Sequence, residues 1–328
     1  MARNIIIRRE SWPLERPFRI SRGVKTAADV VVVEINDGIH TGRGECVPYP
    51  RYGESVDSVA EQIRSVLPAL EQGTSRIDCR RLLSAGAALN AIDSALWDLE
   101  ARAAGKAVDQ MLNLARPAKL TTALTVGLDT PEQMGLVAAQ MSGAPVIKVK
   151  VDGLSPDRQL QAVHDAAPNA KLIVDANEGW SIEILSELNS FLKEIGAVLI
   201  EQPLPAGDDA ALEGFRAEVP LCADESCHTV DDLPQLLNRY QAVNIKLDKT
   251  GGLTGAVELL AAARRNEMLV MTGCMVCTSL AIAPAWLVAA ASDFVDLDGP
   301  LMLRSDREGG VRGDAGQLSA PDRRLWGS

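Results

Sequence analysis

Apolar and polar positions change rhythm about a third of the way along the chain. Alternation over Ile5–Ser11, Asp29–Asn36 and Ile39–Val47 predicts strands, the last two joined by a turn at Asp37-Gly38. Ser55–Glu71 and Ala85–Ala104 carry helical spacing, and the second run stops at Gly105. Strands followed by helices predict an α+β unit over residues 1–115. From Leu120 the pattern becomes one of short apolar runs: Leu120–Val126, Val146–Val151, Leu172–Asp175, Ala197–Glu201, Leu221–Asp224, Ala242–Leu247, Met268–Gly273 and Phe294–Leu297. Helical stretches lie between most of them. Their starts are marked by Thr130-Pro131-Glu132-Gln133, Ser155-Pro156 and Thr229-x-Asp231-Asp232. Eight strands alternating with helices predict a parallel barrel over residues 116–300, with 301–328 as a segment returning to the first unit.

Composition narrows the picture little. Of 328 residues, 47% are hydrophobic and 23% charged, the profile of an ordinary globular protein. The net charge of −11 argues against nucleic acid, whose phosphates require a basic face. The apolar run at Ile5-Ile6-Ile7 is too short for a signal peptide, and none reaches a membrane span, which predicts a cytoplasmic protein. Cys46, Cys79 and Cys222 fit buried thiols. Cys274 and Cys277 form a lone C-x-x-C, and a zinc site is not expected without a second pair or a spaced histidine. The sequence leaves the oligomeric state open, a homo-oligomer included.

The chemistry gathers at the strand ends. The steps from Lys150 to Asp175, Glu201, Asp224 and Lys246 are 25, 26, 23 and 22 residues, each about one strand–helix unit. These side chains should therefore recur at one level around the barrel mouth, where catalytic groups of such barrels converge. Asp175, Glu201 and Asp224 on consecutive strands offer an oxygen-only site suited to Mg²⁺. A single strand-end acid is more simply a solvated helix cap; three in register beside lysines are not. Lys148 and Lys150, two apart on a strand, share a face, and mutual repulsion with burial should lower one of them enough to act as a base. Lys246 lies four strands on, across the metal. Two bases flanking one carbon are the arrangement of an epimerase. Asp296 and Asp298 also share a face, and the cation they await should be a substrate ammonium.

With these residues the chain resembles the enolase superfamily, within it the muconate-lactonizing-enzyme subgroup, and there the L-Ala-D/L-Glu dipeptide epimerases. The resemblance spans essentially the whole chain. Its carriers are Lys148-Val149-Lys150, Pro48 to Ser55, Ile173 to Glu178, Glu201 to Pro205, Cys222 to His228, Val243 to Leu253 and Asp296-Leu297-Asp298. It implies a modified (β/α)7β TIM-like barrel with an N-terminal α+β capping domain. It implies one Mg²⁺ on Asp175, Glu201 and Asp224, and Lys150 and Lys246 as the acid/base pair acting through a metal-stabilised enediolate. Lys150 would serve the R (D-Glu) epimer and Lys246 the S epimer. Lys148 would bind the substrate carboxylate, Asp296 and Asp298 its ammonium, and Thr125 and Cys274 would contact substrate. Arg22, or Lys25 in the same loop, would pair with a glutamate side chain. The implied reaction converts L-Ala-D-Glu to L-Ala-L-Glu in murein peptide recycling.

Two departures are visible. Met271-Thr272-Gly273-Cys274-Met275 lacks the seventh-strand histidine of mandelate-racemase-like enzymes, and Cys277-Thr278 stands where many dipeptide epimerases have an acid. The alternatives are a cycloisomerase or an o-succinylbenzoate synthase of the same subgroup. Their substrates carry no ammonium and would leave Asp296 and Asp298 unpaired in the pocket, which is costly. A silent scaffold barrel would have no reason to keep both bases and all three acids.

Overall fold

A computed structural model describes residues 2–20 and 23–328. Eight parallel strands run in chain order around a barrel: Leu124–Val126, Val146–Lys150, Lys171–Asp175, Ala197–Glu201, Leu221–Ala223, Ala242–Ile245, Leu269–Gly273 and Phe294–Asp296. The ring is completed by Ala123 N donating to Val295 O (2.8 Å) and Leu297 N to Thr122 Oγ1 (2.9 Å). Among the described residues, no helix is long and apolar enough to cross a membrane.

The two-residue period of a strand explains the barrel's layers. Outward side chains such as Ile147, Val149, Leu172, Val174, Ile200, Val243 and Val270 join the core under the helices. Inward, Ala123, Ile173, Leu199, Cys222, Ala242 and Met271 form a separate buried apolar plug. Two residues further along the same strands, the inward positions become Thr125, Asp175, Glu201, Asp224, Asn244 and Gly273. The charged layer thus rests on an apolar floor that excludes water from below.

The first strands go beyond the expected runs. Asn4–Ile20 pairs antiparallel with Gly23–Asn36, and the register shifts between Pro13 and Phe18. The distal part of this hairpin reaches the barrel mouth, where Phe18, Ile20 and Lys25 line the cavity. It has no sheet core beneath it, so its sequence carries no alternation to read. Leu120–Val126 is also not one strand: Lys119–Thr121 pairs with a C-terminal strand, Gln317–Ser319, and only Leu124–Val126 enters the barrel. The last residues lie against the N-terminal unit, with Trp326 Nε1 donating to Ser94 O (3.0 Å) and Gly327 N to Asp98 Oδ1 (2.7 Å).

Helix Ala87–Ala104 is buried along most of its length because it is sandwiched between the sheet and the barrel. Strand Thr41–Cys46 can approach it only through glycine. A Cβ on Gly42 would lie 2.1 Å from Ala95 O, and one on Gly44 2.1 Å from Ala91 O. Backbone cannot yield as a side chain can. Gly44→Ala should therefore destabilise the protein by about 2–3 kcal/mol, seen as a lower urea midpoint. An unchanged midpoint would show that the sheet and helix slide apart freely.

Candidate active site

Strand pairing sets the heights of the charged side chains. Lys150 pairs with Asp175 and Asp175 with Glu201, so these three stand at one level. Glu201 pairs with Cys222, which places Asp224 two residues higher on the same face. That stagger is the strand tilt of the barrel: on the inward face Asp224 lies two residues above Cys222, as Asp175 and Glu201 lie two above Ile173 and Leu199, so the three acids share one layer. Lys246 follows the sixth strand as the cap of the short helix Leu247–Thr250. Gly273 on the neighbouring strand makes room for it: a Cβ there would lie 3.1 Å from Lys246 Cε and 2.7 Å from Asn244 Oδ1.

All of these groups are buried. Lys150 Nζ lies 2.5 Å from Asp175 Oδ2, and Lys246 Nζ 2.6 Å from Asp224 Oδ2 and 4.0 Å from Glu201 Oε1. Lys148 Nζ stands among three acids, 2.5 Å from Glu201 Oε2, 2.7 Å from Asp296 Oδ2 and 3.0 Å from Asp175 Oδ2. Burial alone would lower the Lys148 ammonium, but the charges of Asp296, Glu201 and Asp175 outweigh it and hold it well above its ordinary value. Lys246 is raised in the same way, against burial, by Asp224 and Glu201. The expectation that one K-x-K lysine is lowered does not apply to Lys148, because it counted the neighbouring lysine and not the acids.

Asp296 is likewise not unpaired in the absence of a ligand, since Lys148 already holds it. Asp298 accepts from Thr125 N (2.7 Å), and burial with the neighbouring Asp296 charge pushes its carboxyl up to about 7.

The remaining expected residues divide. Thr125, Lys148, Lys150, Asp224, Lys246, Cys274, Asp296 and Asp298 all line one cavity, with about 670 Å³ free of protein atoms. Arg22 lies outside the described residues. Lys25 lines the cavity from the hairpin, half-buried, with Nζ 5.1 Å from the Tyr49 ring centroid. Burial lowers its ammonium, opposed by the Asp29 charge. Cys277 and Thr278 do not line the cavity. Thr278 N donates to Glu45 Oε1 (2.8 Å), so an acid from the N-terminal unit meets this segment.

Two residues went unrecognised. Asn244 Nδ2 donates to Glu201 Oε1 (2.7 Å), and Lys249 Nζ donates to Asp224 Oδ1 and Asp224 O (both 2.6 Å) and to Asn244 O (2.8 Å). Asn244 could have been found two residues before Lys246 on the same strand face. Lys249 could have been found one helical turn beyond it. The loop Pro48 to Ser55 docks over the mouth through Arg51, whose guanidinium forks Glu178 at 2.7 Å on both oxygens, and through Tyr52, whose ring meets His228 edge-to-face with centroids 4.5 Å apart.

The donor set decides which cation suits the site. Among the described residues, no three acidic, histidine or cysteine side chains converge tightly enough to enclose an ion as they stand, since lysine ammonium groups lie between them. Chemically the acids fit Mg²⁺. Asp175, Glu201 and Asp224 are oxygen donors, at most 1% exposed, on consecutive strands. Burial and the Asp175 charge push the Glu201 carboxyl up to about 8, and a hard divalent cation held beside it would bring it down.

Comparison with known proteins agrees with this geometry. Residues 2–113 match the family model described as mandelate racemase / muconate lactonizing enzyme, N-terminal domain, and residues 133–324 match the one described as enolase C-terminal domain-like. The L-Ala-D/L-Glu epimerase of Escherichia coli (strain K12) is 47% identical over 318 residues, covering 96% of this chain and 99% of that protein. An N-acetyl-D-glutamate racemase of Pseudoalteromonas sp is 44% identical over 301 residues, covering 91% and 95%. The crystal structure of the dipeptide epimerase from Cytophaga hutchinsonii, complexed with Mg and the dipeptide D-Ala-L-Val, superposes with a TM-score of 0.90 at 30% identity, covering 98% and 94%.

Proposed function

The chain belongs to the mandelate racemase / muconate lactonizing enzyme family, as an epimerase of the enolase superfamily, and we propose that it interconverts L-Ala-D-Glu and L-Ala-L-Glu. One observation carries this reading. Lys150 and Lys246 line the cavity from the second and sixth of eight strands, Lys150 held by Asp175 and Lys246 by Asp224, with Asp296 and Asp298 lining the same cavity.

One lysine would take the α-proton of the second residue from one face while the other delivers a proton to the opposite face. Reversing the roles runs the reaction back. Lys148 would orient the substrate carboxylate. Asp175, Glu201 and Asp224 would hold Mg²⁺, which when bound supplies positive charge beside that carboxylate as the α-carbon loses its proton. Asp298, with Asp296, would bind the α-ammonium at the Thr125 end. Lys25 (or Arg22) would pair with the glutamate side chain. The same dipeptide is part of the murein stem, which would place the enzyme in the degradation of that polymer.

A second reading rests on Asp298. A carboxyl pushed to about 7 can keep its proton and donate to an acyl oxygen, which suits N-acetylglutamate, the substrate named for the Pseudoalteromonas relative. Ala-Glu, N-acetyl-Ala-Glu, N-acetylglutamate and Ala-Leu separate the two. Charge-assisted pairs are the stronger ones, and losing one should lower kcat/KM at least ~10–100-fold. Acetylating Ala-Glu should hurt about as much as Asp298→Ala, and the two losses should not add. Equal turnover of free and acetylated substrate would remove the ammonium site and favour the N-acyl reading. Equal turnover of Ala-Glu and Ala-Leu would remove the glutamate contact.

A further inference from the structure

The cavity ends, on the side of Asp298, against a thin wall. Phe18, Thr125 and Met302 line the cavity and also line a second, outer groove. The outer groove lies between the hairpin and helix Pro131–Gln140 and is open to solvent. Its surface is apolar, with Leu128, Met134, Val137 and Met141 lining it and Val24 and Leu301 exposed at its edge. Charge is confined to exposed residues such as Arg16 and Arg19.

Phe18 is fixed in that wall by backbone. Leu128 N donates to Arg19 O (3.0 Å), which ties the hairpin to the end of the first barrel strand. The ring packs over Gly127, where a Cβ would lie at contact distance, 3.5 Å, from Phe18 Cδ2 and Cε2 and 3.3 Å from Arg19 O. Ile20 and Lys25 line the cavity next to it, so Phe18 is the inward hairpin residue that borders both spaces.

Asp298 accepts from Thr125 N, one of the residues of this wall. On the reading above, a substrate ammonium at Asp298 brings the Cβ of the first residue to the same place. A large first side chain would then collide with the Phe18 ring. Behind the ring is apolar space of the character such a side chain needs.

We propose that Phe18 is a specificity-determining residue that restricts the first position to a small side chain, and that the groove behind it is a closed-off subsite for a large apolar one. The substrate class this excludes is dipeptides such as Leu-Glu, with the second residue unchanged. The inference rests on Asp298 binding the ammonium, so the test contains a control for that reading.

The measurement is the ratio of kcat/KM for L-Leu-L-Glu to that for L-Ala-L-Glu, taken in the wild type, Phe18→Ala and Phe18→Leu. The ratio should be low in the wild type and rise at least ~10-fold in Phe18→Ala, the scale on which an apolar pocket discriminates by size. Phe18→Leu, which keeps an apolar side chain, should give a smaller rise and covers the case in which the alanine variant does not fold. Adding Val137→Arg, which puts a charge into the groove, should reverse the rise. A wild type equally fast on both dipeptides, or an unchanged ratio in the folded variants, overturns the proposal while leaving the epimerase reading intact. No turnover of Ala-Glu by the wild type overturns that reading and the proposal with it.

Discussion

Lys150→Ala should abolish exchange of the α-proton from one epimer of the dipeptide, and Lys246→Ala from the other. The reason is geometric. The two ammonium groups are held by different acids, Lys150 by Asp175 and Lys246 by Asp224, on strands halfway around the barrel from each other. Neither can reach the other's face of a carbon held between them. Losing a positioned acid or base costs ~10²–10⁴-fold, so racemisation should fall by that factor in either variant. Exchange into solvent deuterium should survive from the epimer whose base remains, because that step needs one lysine only. Lys150 is expected to serve the D-Glu epimer and Lys246 the L-Glu epimer. Racemisation retained in either single variant would show one base swinging between faces.

Glu201→Gln should be nearly as damaging, although it keeps the shape of the side chain. Glu201 is fully buried at the centre of the charged layer, contacting Lys148, Asn244 and, at 4.0 Å, Lys246. Burial and the Asp175 charge raise its carboxyl, and a divalent cation beside it would bring it down. A bound metal contributes several kcal/mol to charge stabilisation in a transition state, so the loss in kcat/KM should be ~10²–10³-fold. The folded structure should persist, because the amide can still accept from Asn244. Titration calorimetry should show weakened Mg²⁺ binding in this variant, and chelation of the wild type should remove activity that added Mg²⁺ restores. Full turnover in a thoroughly chelated sample would exclude a metal role for these acids.

The barrel strands and most of the cavity were legible because strand residues alternate between two environments. Lys148 and Lys150 inside, with Ile147, Val149 and Val151 under the helices, form a pattern that only an inward-facing strand end satisfies. The hairpin end that closes the cavity was not legible. Of its described residues Arg16, Pro17, Arg19, Gly23 and Val24 are exposed, so neither its length nor the choice between Arg22 and Lys25 could be read. The stagger between strands was not legible either, because sequence spacing counts residues through helices and loops and only strand pairing reveals that Glu201 faces Cys222. The ion pairs of Lys148 were not legible, because a sequence shows the adjacent Lys150 but not the three carboxylates brought in from three other strands.

Proton NMR of L-Ala-D-Glu incubated with the enzyme and Mg²⁺ in D₂O tests the central claim most directly. The glutamate α-proton signal should disappear, signals of L-Ala-L-Glu should grow in until both diastereomers are present, and the alanine α-proton should be untouched. N-acetylglutamate under the same conditions should exchange at least ~10-fold more slowly. A glutamate α-proton that stays at full intensity in L-Ala-D-Glu, while N-acetylglutamate exchanges, would contradict that claim.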